Sequence, residues 1–342
     1  MIHDQHIVVP VGEKAGGSRH AAPRVAVIVP AYGVAHLVGE ALASVQAQTM
    51  DDWECVVVDD GAPDDVAGAV APFLADSRIT FIETENGGVS AARNRAIAHT
   101  SAPLVTLLDG DDMLRPDYLA TMTAALEAEP DARLVTCNAR IFGAVPHERN
   151  CFARKQGKGD GRRGILEDVI DRSFSVYIGS TFRRADFDAA GGFDTTMTHA
   201  EDFDFWVRLV LQGGYALYID KVLCDYRVRG NSASASSLNM LKGNIRTFEK
   251  ALAALPSDAS ETKVAKAMIT RNARQLRFEQ AIDRVIDGDK RAITDLRATR
   301  GADQGRSWDL ALFVWRFMPA LAAPMLRRRR EANARGAAKA TV

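Results

Sequence analysis

The chain opens its ordered pattern with a β-branched run, Val25, Val27, Ile28 and Val29, that stops at Pro30-Ala31-Tyr32-Gly33, the signature of a strand feeding a turn. Leu37, Ala41, Leu42 and Val45 then recur at helical spacing, and Trp53 to Val58 predicts a second strand. Val66 to Leu74 reads as helix and Ile79 to Ile82 as a short strand. Asn86-Gly87-Gly88 turns the chain into a helix over Ser90 to His99, and Leu104 to Leu108 is again strand. Strands alternating with helices in this way predict an α/β domain with a mostly parallel, doubly wound sheet flanked by helices and a site along one edge.

The texture changes after Pro130. A strand at Arg133 to Cys137 leads into an aperiodic Gly, Arg and Lys-rich stretch, 143 to 164, expected to be a mobile lid over the site. Gly191-Gly192-Phe193-Asp194 makes a turn feeding an acid-rich helix start at Ala200 to Trp206, and long amphipathic helices fill Leu238 to Ile286. The expected organisation is a disordered leader over 1–23, a catalytic domain over 24–237, a helical extension over 238–326 and a basic tail over 327–342.

Two of the strands end in acid: Val58-Asp59-Asp60, and Leu108-Asp109-Gly110-Asp111-Asp112. Carboxylates at the carboxyl ends of apolar strands stand where open α/β sheets collect ligands, and three within four residues repel one another. A divalent cation with hard oxygen ligands, itself holding the phosphates of a nucleotide, answers that repulsion better than a lone lysine.

The 342 residues carry a formal net charge of -1, which argues against wholesale nucleic-acid binding. Cys55, Cys137, Cys151 and Cys224 have no CxxC spacing; they read as reduced thiols of a cytoplasmic protein, without zinc. Charge is nonetheless uneven. Arg327 to Arg330 follow an apolar stretch, Trp308 to Leu326, that Asp309, Arg316, Pro319 and Pro324 interrupt. Those breaks argue against a transmembrane helix. An interfacial helix over 308–326, anchored by Trp308 and Trp315 with the arginines on anionic lipid at the inner membrane face, competes with a helix packed on the catalytic domain.

Five motifs in order, Val29-Pro30-Ala31-Tyr32, Val58-Asp59-Asp60-Gly61, Gly87-Gly88-Val89-Ser90-Ala91-Ala92-Arg93-Asn94, Leu108-Asp109-Gly110-Asp111-Asp112 and Glu201-Asp202-Phe203-Asp204-Phe205-Trp206, closely resemble family-two inverting glycosyltransferases of the GT-A fold. The resemblance covers Val25 to Ser234. It implies a nucleotide-sugar donor, a divalent cation, Mn²⁺ or Mg²⁺, and a hydroxyl acceptor on a glycan, polysaccharide or lipid-linked intermediate.

It also implies roles for residues. Asp109 and Asp111 are the expected metal ligands, with Gly110 letting one carboxylate reach metal and the other ribose or metal-bound water, and Asp112 capping the next turn. Pro30, Ala31, Tyr32 and Asp59 would hold the base: Tyr32 by stacking, Asp59 by accepting from a ring N3–H, which favours uracil or thymine and makes uridine diphosphate the leading donor. Asp60 is expected on ribose or on Arg93. Arg93, near a helix N-terminus, is expected on diphosphate, with Asp59 or Asp60 as alternative partners.

Asp202 is the expected general base, Glu201 the second choice, and a plain N-cap the competing reading of Asp202. Arg229 stands where many members have histidine; it could neutralise departing diphosphate but not ligate metal. Gly61-Ala62-Pro63-Asp64 departs from the family's usual Gly-Ser-Thr-Asp and loses a hydroxyl. Rival readings are a nucleotidyltransferase, although Ala31 to His36 lacks the glycine and lysine-rich loop, and a non-catalytic sugar-nucleotide-binding protein.

Overall fold

The computed structural model describes residues 7–8, 22–152, 156–229, 237–301 and 304–338. They form two units: the chain to Phe142 with Arg149–Arg227, and Gly143–Glu148 with the chain from Val228 onward. The division falls ten residues before the expected boundary at 237, inside the last long strand.

The first unit holds β1 (Ile7–Val8), β2 (Val25–Ala31), α1 (Ala35–Gln46), β3 (Trp53–Asp60), α2 (Val66–Val70), β4 (Ile79–Thr84), α3 (Val89–Ala98), β5 (Leu104–Leu107), β6 (Met113–Leu114), α4 (Tyr118–Ala128) and β7 (Ala132–Gly143). It continues with β8 (Arg149–Asn150), β9 (Arg163–Gly164), α5 (Leu166–Ile170), β10 (Thr181–Arg183), α6 (Arg184–Ala190), α7 (Glu201–Leu211) and β11 (Tyr215–Val228). The strands join in the order β1-β4-β3-β2-β5-β10-β7-β11-β6.

Val25 to Val29 are wholly buried because β2 is paired on both edges and covered on both faces, which is why its sequence is apolar without alternation. β3 and β4 extend the sheet to one side of β2 and β5 to the other. The strand order therefore reverses at β2 and β5, and the carboxyl ends of β2, β3 and β5 bound the crevice where such sheets bind ligands.

The sheet is less parallel than its sequence predicts. β4-β3-β2-β5 run parallel, and β10 enters antiparallel between β5 and β7. A three-residue strand has too few positions to show a period. The 143–164 stretch is also tied down at its ends: Arg149 and Asn150 pair back on Ile141 and Arg140, and Arg163 and Gly164 pair with Leu217 and Ala216. In the leader, Ile7 and Val8 pair with Glu83 and Ile82 on the edge of the sheet, so this part is ordered; its remainder to residue 21 lies outside the described residues.

The second unit consists of α8 (Ser237–Ala254), α9 (Ser260–Ile286), α10 (Ala292–Thr299), α11 (Arg306–Phe317), a 3-10 turn at Pro319–Leu321 and α12 (Ala322–Ala338). Its core packs Phe278, Ile282 and Val285 of α9 against Ile293, Leu296, Trp308, Leu312 and Trp315. Trp308 meets Phe278 edge-on at 4.8 Å and Trp315 at 6.1 Å. The expected interfacial anchors, Trp308 and Trp315, are thus core residues, because they share one helix face with Leu312. Arg327 to Arg330 lie within α12 rather than in a separate tail. Among the described residues no helix is long and apolar enough to cross a membrane.

Candidate active site

At the end of β2, Ala31 is buried while Tyr32 is 53% exposed at the lip of the crevice. The loop behind it is held by an acid the sequence reading passed over. Asp64 accepts from Gly33 N (3.1 Å) and Ala35 N (2.7 Å), capping α1, and Asp59 Oδ1 accepts from Ala62 N at 2.8 Å. The departed Gly-Ala-Pro-Asp sequence therefore keeps its loop without the lost hydroxyl. Burial, with Glu83, Asp64 and Asp60 nearby, raises the pKa of Asp59 above the usual carboxylate value against the Ala62 N–H.

Asp60 does not pair with Arg93. Its two oxygens accept from Gly87 N (2.9 Å) and Gly88 N (2.8 Å), fixing the turn that launches α3. Gly61, at φ +66°, lets the chain pass there: a Cβ would sit 2.7 Å from Asn86 N.

The turn after β5 crosses directly above β2. A Cβ on Gly110 would meet the Pro30 carbonyl oxygen at 3.1 Å and Val34 at 3.0 Å, so glycine is what brings Asp109 and Asp111 down onto the strand end. Asp112 is buried rather than a simple cap. It accepts from Tyr177 Oη at 2.9 Å and from Arg227 N at 2.8 Å, and burial, together with Asp109 and Asp111, holds its pKa well above the usual carboxylate range. Arg227 Nε donates to the Asp111 carbonyl at 3.0 Å, so β11 braces the same turn.

Arg93 is buried and pairs with neither Asp59 nor Asp60. Its guanidinium donates to Asp109 Oδ1 and to Glu201 Oε1, both at 2.9 Å. Burial opposes the charge, but Asp109, Glu201 and Asp202 outweigh it and raise its pKa. One arginine thereby links the turn after β5 to the first residue of α7. Asn94 adds a second link, donating to the Phe193 carbonyl and accepting from Phe193 N, both at 2.8 Å.

Ala200, not Asp202, is the N-cap of α7, buried and in the left-handed region at φ +58°. A non-glycine residue held there stores backbone strain, and its effect is to set Glu201 and Asp202 together in the first turn. Asp202 is half-buried, and its Oδ1 accepts from Phe203 N at 2.7 Å. Burial first, then Glu201 beside it, lifts its pKa to about 6 against the pull of Arg93, the Phe203 N–H and Arg172. That is the range of a useful general base.

Arg172 has no motif to announce it. It stands at φ +65° in the turn after α5, its guanidinium 4.3 Å above the Phe203 ring and in the field of Asp202. His199 stays with its own loop, Nδ1 at 3.2 Å from Thr198 Oγ1. Arg229 follows β11 in the second unit, and residues 230–236 after it lie outside the described residues.

Asp109 and Asp111 suit a hard divalent cation. They offer carboxylate oxygens two residues apart, and Arg93 engages Asp109 through Oδ1 only. Among the described residues no group of three or more His, Cys, Asp or Glu side chains is arranged to hold a metal by itself. A cation here would complete its shell with phosphate oxygens and water, the usual habit of Mg²⁺ at nucleotides.

The chain is similar to known glycosyltransferases. Residues 26–190 match the model for glycosyl transferase family 2. The chain is similar to the succinoglycan biosynthesis protein ExoU of Rhizobium meliloti, 29% identical over 287 residues, 78% of this chain and 80% of that protein. The chain spans only 14% to 31% of the length of several other curated relatives it matches. Among solved structures, TarS of S. aureus in complex with UDP-GlcNAc superposes with a TM-score of 0.60 at 17% identity, over 80% of this chain and 84% of that one. A mannosyltransferase from Pyrobaculum calidifontis, in complex with GDP-Man and Mn²⁺, gives 0.59 at 23% identity, over 94% and 87%. At these identities the two structures establish the GT-A-like fold.

Proposed function

Because residues 26–190 match the model of glycosyl transferase family 2, we propose that this chain is an inverting, metal-dependent transferase moving a sugar from a uridine diphosphate donor to a hydroxyl of a glycan or lipid-linked acceptor at the cytoplasmic face of a membrane. The observation that carries this reading is the Arg93 bridge, which ties Asp109 of the β5 turn to Glu201, the neighbour of Asp202 in the first turn of α7.

In this reading Tyr32 stacks on the base and Asp59 accepts from its N3–H, while Asp109 and Asp111 hold the cation. A bound divalent cation supplies charge neutralisation for the leaving diphosphate. Asp202 accepts the proton of the acceptor hydroxyl as its oxygen bonds to the anomeric carbon and the bond from that carbon to the diphosphate oxygen breaks on the opposite face. Arg93 is the brace between the two halves rather than a phosphate ligand, and Asp60 shapes the α3 turn.

Isothermal titration with uridine and guanosine diphosphates, with and without Mn²⁺, tests the donor assignment. Binding of uridine diphosphate that requires the cation is the expected result. Metal-independent binding, or a preference for guanosine diphosphate, would overturn the assignments at Asp111 and Asp59 respectively.

A further inference from the structure

Beside Asp202 stands a cation that the transfer chemistry leaves unused. Arg172 is exposed, and its guanidinium lies 4.3 Å over the ring of Phe203, the residue that follows Asp202 in the first turn of α7. At φ +65° it occupies the left-handed region, which costs a bulky residue backbone strain. The turn around it holds that strain in place: Phe174 N donates to the Asp168 carbonyl and Gly157 N to the Ser173 carbonyl, both at 2.9 Å, and Ser173 N donates to Asp171 Oδ1 at 2.8 Å. Strain kept in this way beside a reactive group points to use.

The acids of this turn and of the α7 start are engaged elsewhere. Asp171 Oδ2 takes Lys158 Nζ at 2.9 Å, Asp168 accepts from Lys158 N and Ser173 Oγ, and Glu201 is held by Arg93. Asp202 attracts Arg172 but accepts its hydrogen bond from Phe203 N, and among the described residues no carboxylate forms an ion pair with the Arg172 guanidinium. An aromatic ring attracts the charge yet gives the N–H fork no oxygen to meet. A direct ion pair with Asp202 would lower the proton affinity of the base; a guanidinium held to one side leaves that carboxylate free and its own donors open.

We propose that Arg172 recognises an oxyanion on the acceptor, a uronate carboxylate or a sugar phosphate, attached close to the hydroxyl that approaches Asp202. The planar fork fits either group through paired N–H donors, and a neutral acceptor would leave those donors without a partner. The proposal rests on reading Asp202 as the base and adds the class of acceptor, an anionic sugar. It assigns Arg172 no part in holding the donor.

The test is calorimetric titration of the full-length protein, saturated with uridine diphosphate and Mn²⁺, with glucose, glucuronate and glucose 1-phosphate. At least one of the two anionic sugars should bind about tenfold or more tighter than glucose, and the tighter of the two identifies the carboxylate or the phosphate as the group recognised. Arg172→Ala should abolish that preference, Arg172→Lys should restore part of it, and binding of uridine diphosphate should stay unchanged in both. Arg172→Gly relieves the left-handed conformation, so its denaturant midpoint should not fall although the preference is lost. Equal binding of charged and neutral sugars, no binding of either anionic sugar, a preference that survives Arg172→Ala, or weakened uridine diphosphate binding in that variant would each overturn the proposal. Asp202→Asn should keep the preference for anionic sugars, so turnover retained in that variant sinks the base reading by a separate result.

Discussion

The strands on either side of β2 both end in acid, yet the two ends do different work. At β3 Asp60 gives both carboxylate oxygens to the Gly87 and Gly88 N–H groups and shapes the loop, while Asp59 gives only Oδ1, to Ala62 N. At β5, Asp112 is spent in the same way on Tyr177 and Arg227, whereas Asp109 meets only one arm of a guanidinium that also reaches Glu201. A carboxylate saturated by buried amides builds the crevice, and one facing a shared cation can exchange that company for a ligand. Acid at the end of a strand therefore identifies the rim and says nothing about which acid touches substrate.

The largest effect that would sharpen this distinction is expected at α7. Asp202→Asn should lower turnover by about 10³-fold, the usual worth of a positioned general base, while donor binding measured by titration stays close to normal. Retained turnover would remove Asp202 from the chemistry. Next comes the β5 turn: Asp111→Ala should weaken Mn²⁺-dependent binding of uridine diphosphate by about 100-fold with little change in melting temperature. Asp60→Ala should show the reverse pattern, losing about 2 kcal/mol in denaturant unfolding because two backbone amides lose their acceptor. If Asp60→Ala proved neutral in stability but lost donor, the division between shaping and working acids would be wrong.

The smallest effect is on pH. Asp202 must be ionised to take a proton, and its pKa is raised to about 6. The acceptor kcat/KM should therefore fall about tenfold per unit as pH drops below about 6 and level off above it. Glu201→Gln removes a neighbouring negative charge, so it should shift this profile to lower pH; an unmoved profile would mean that Glu201 and Asp202 do not interact.

Much of the fold was readable because parallel strands covered on both faces are apolar at every position and their helices repeat at a fixed period. The run at Val25 to Val29 and the spacing of Leu37, Ala41, Leu42 and Val45 both became the elements they predicted. Beyond Pro130 the signal weakened for physical reasons. β10 has three residues, the 143–164 stretch takes its few strand residues from pairing at a distance, and Trp308 and Trp315 look alike whether a bilayer or a helix bundle covers them.

From the sequence alone came the acids at strand ends, the glycines that let turns pass close by, and the order of motifs that resembles family-two glycosyltransferases. Tertiary structure decided the partners. Whether Arg93 meets Asp60 or Asp109, and whether Asp112 caps a turn or lies buried under Tyr177, depends on residues 16 to 115 positions away. Charge and hydrogen bonding act through space, and only the folded chain sets those distances.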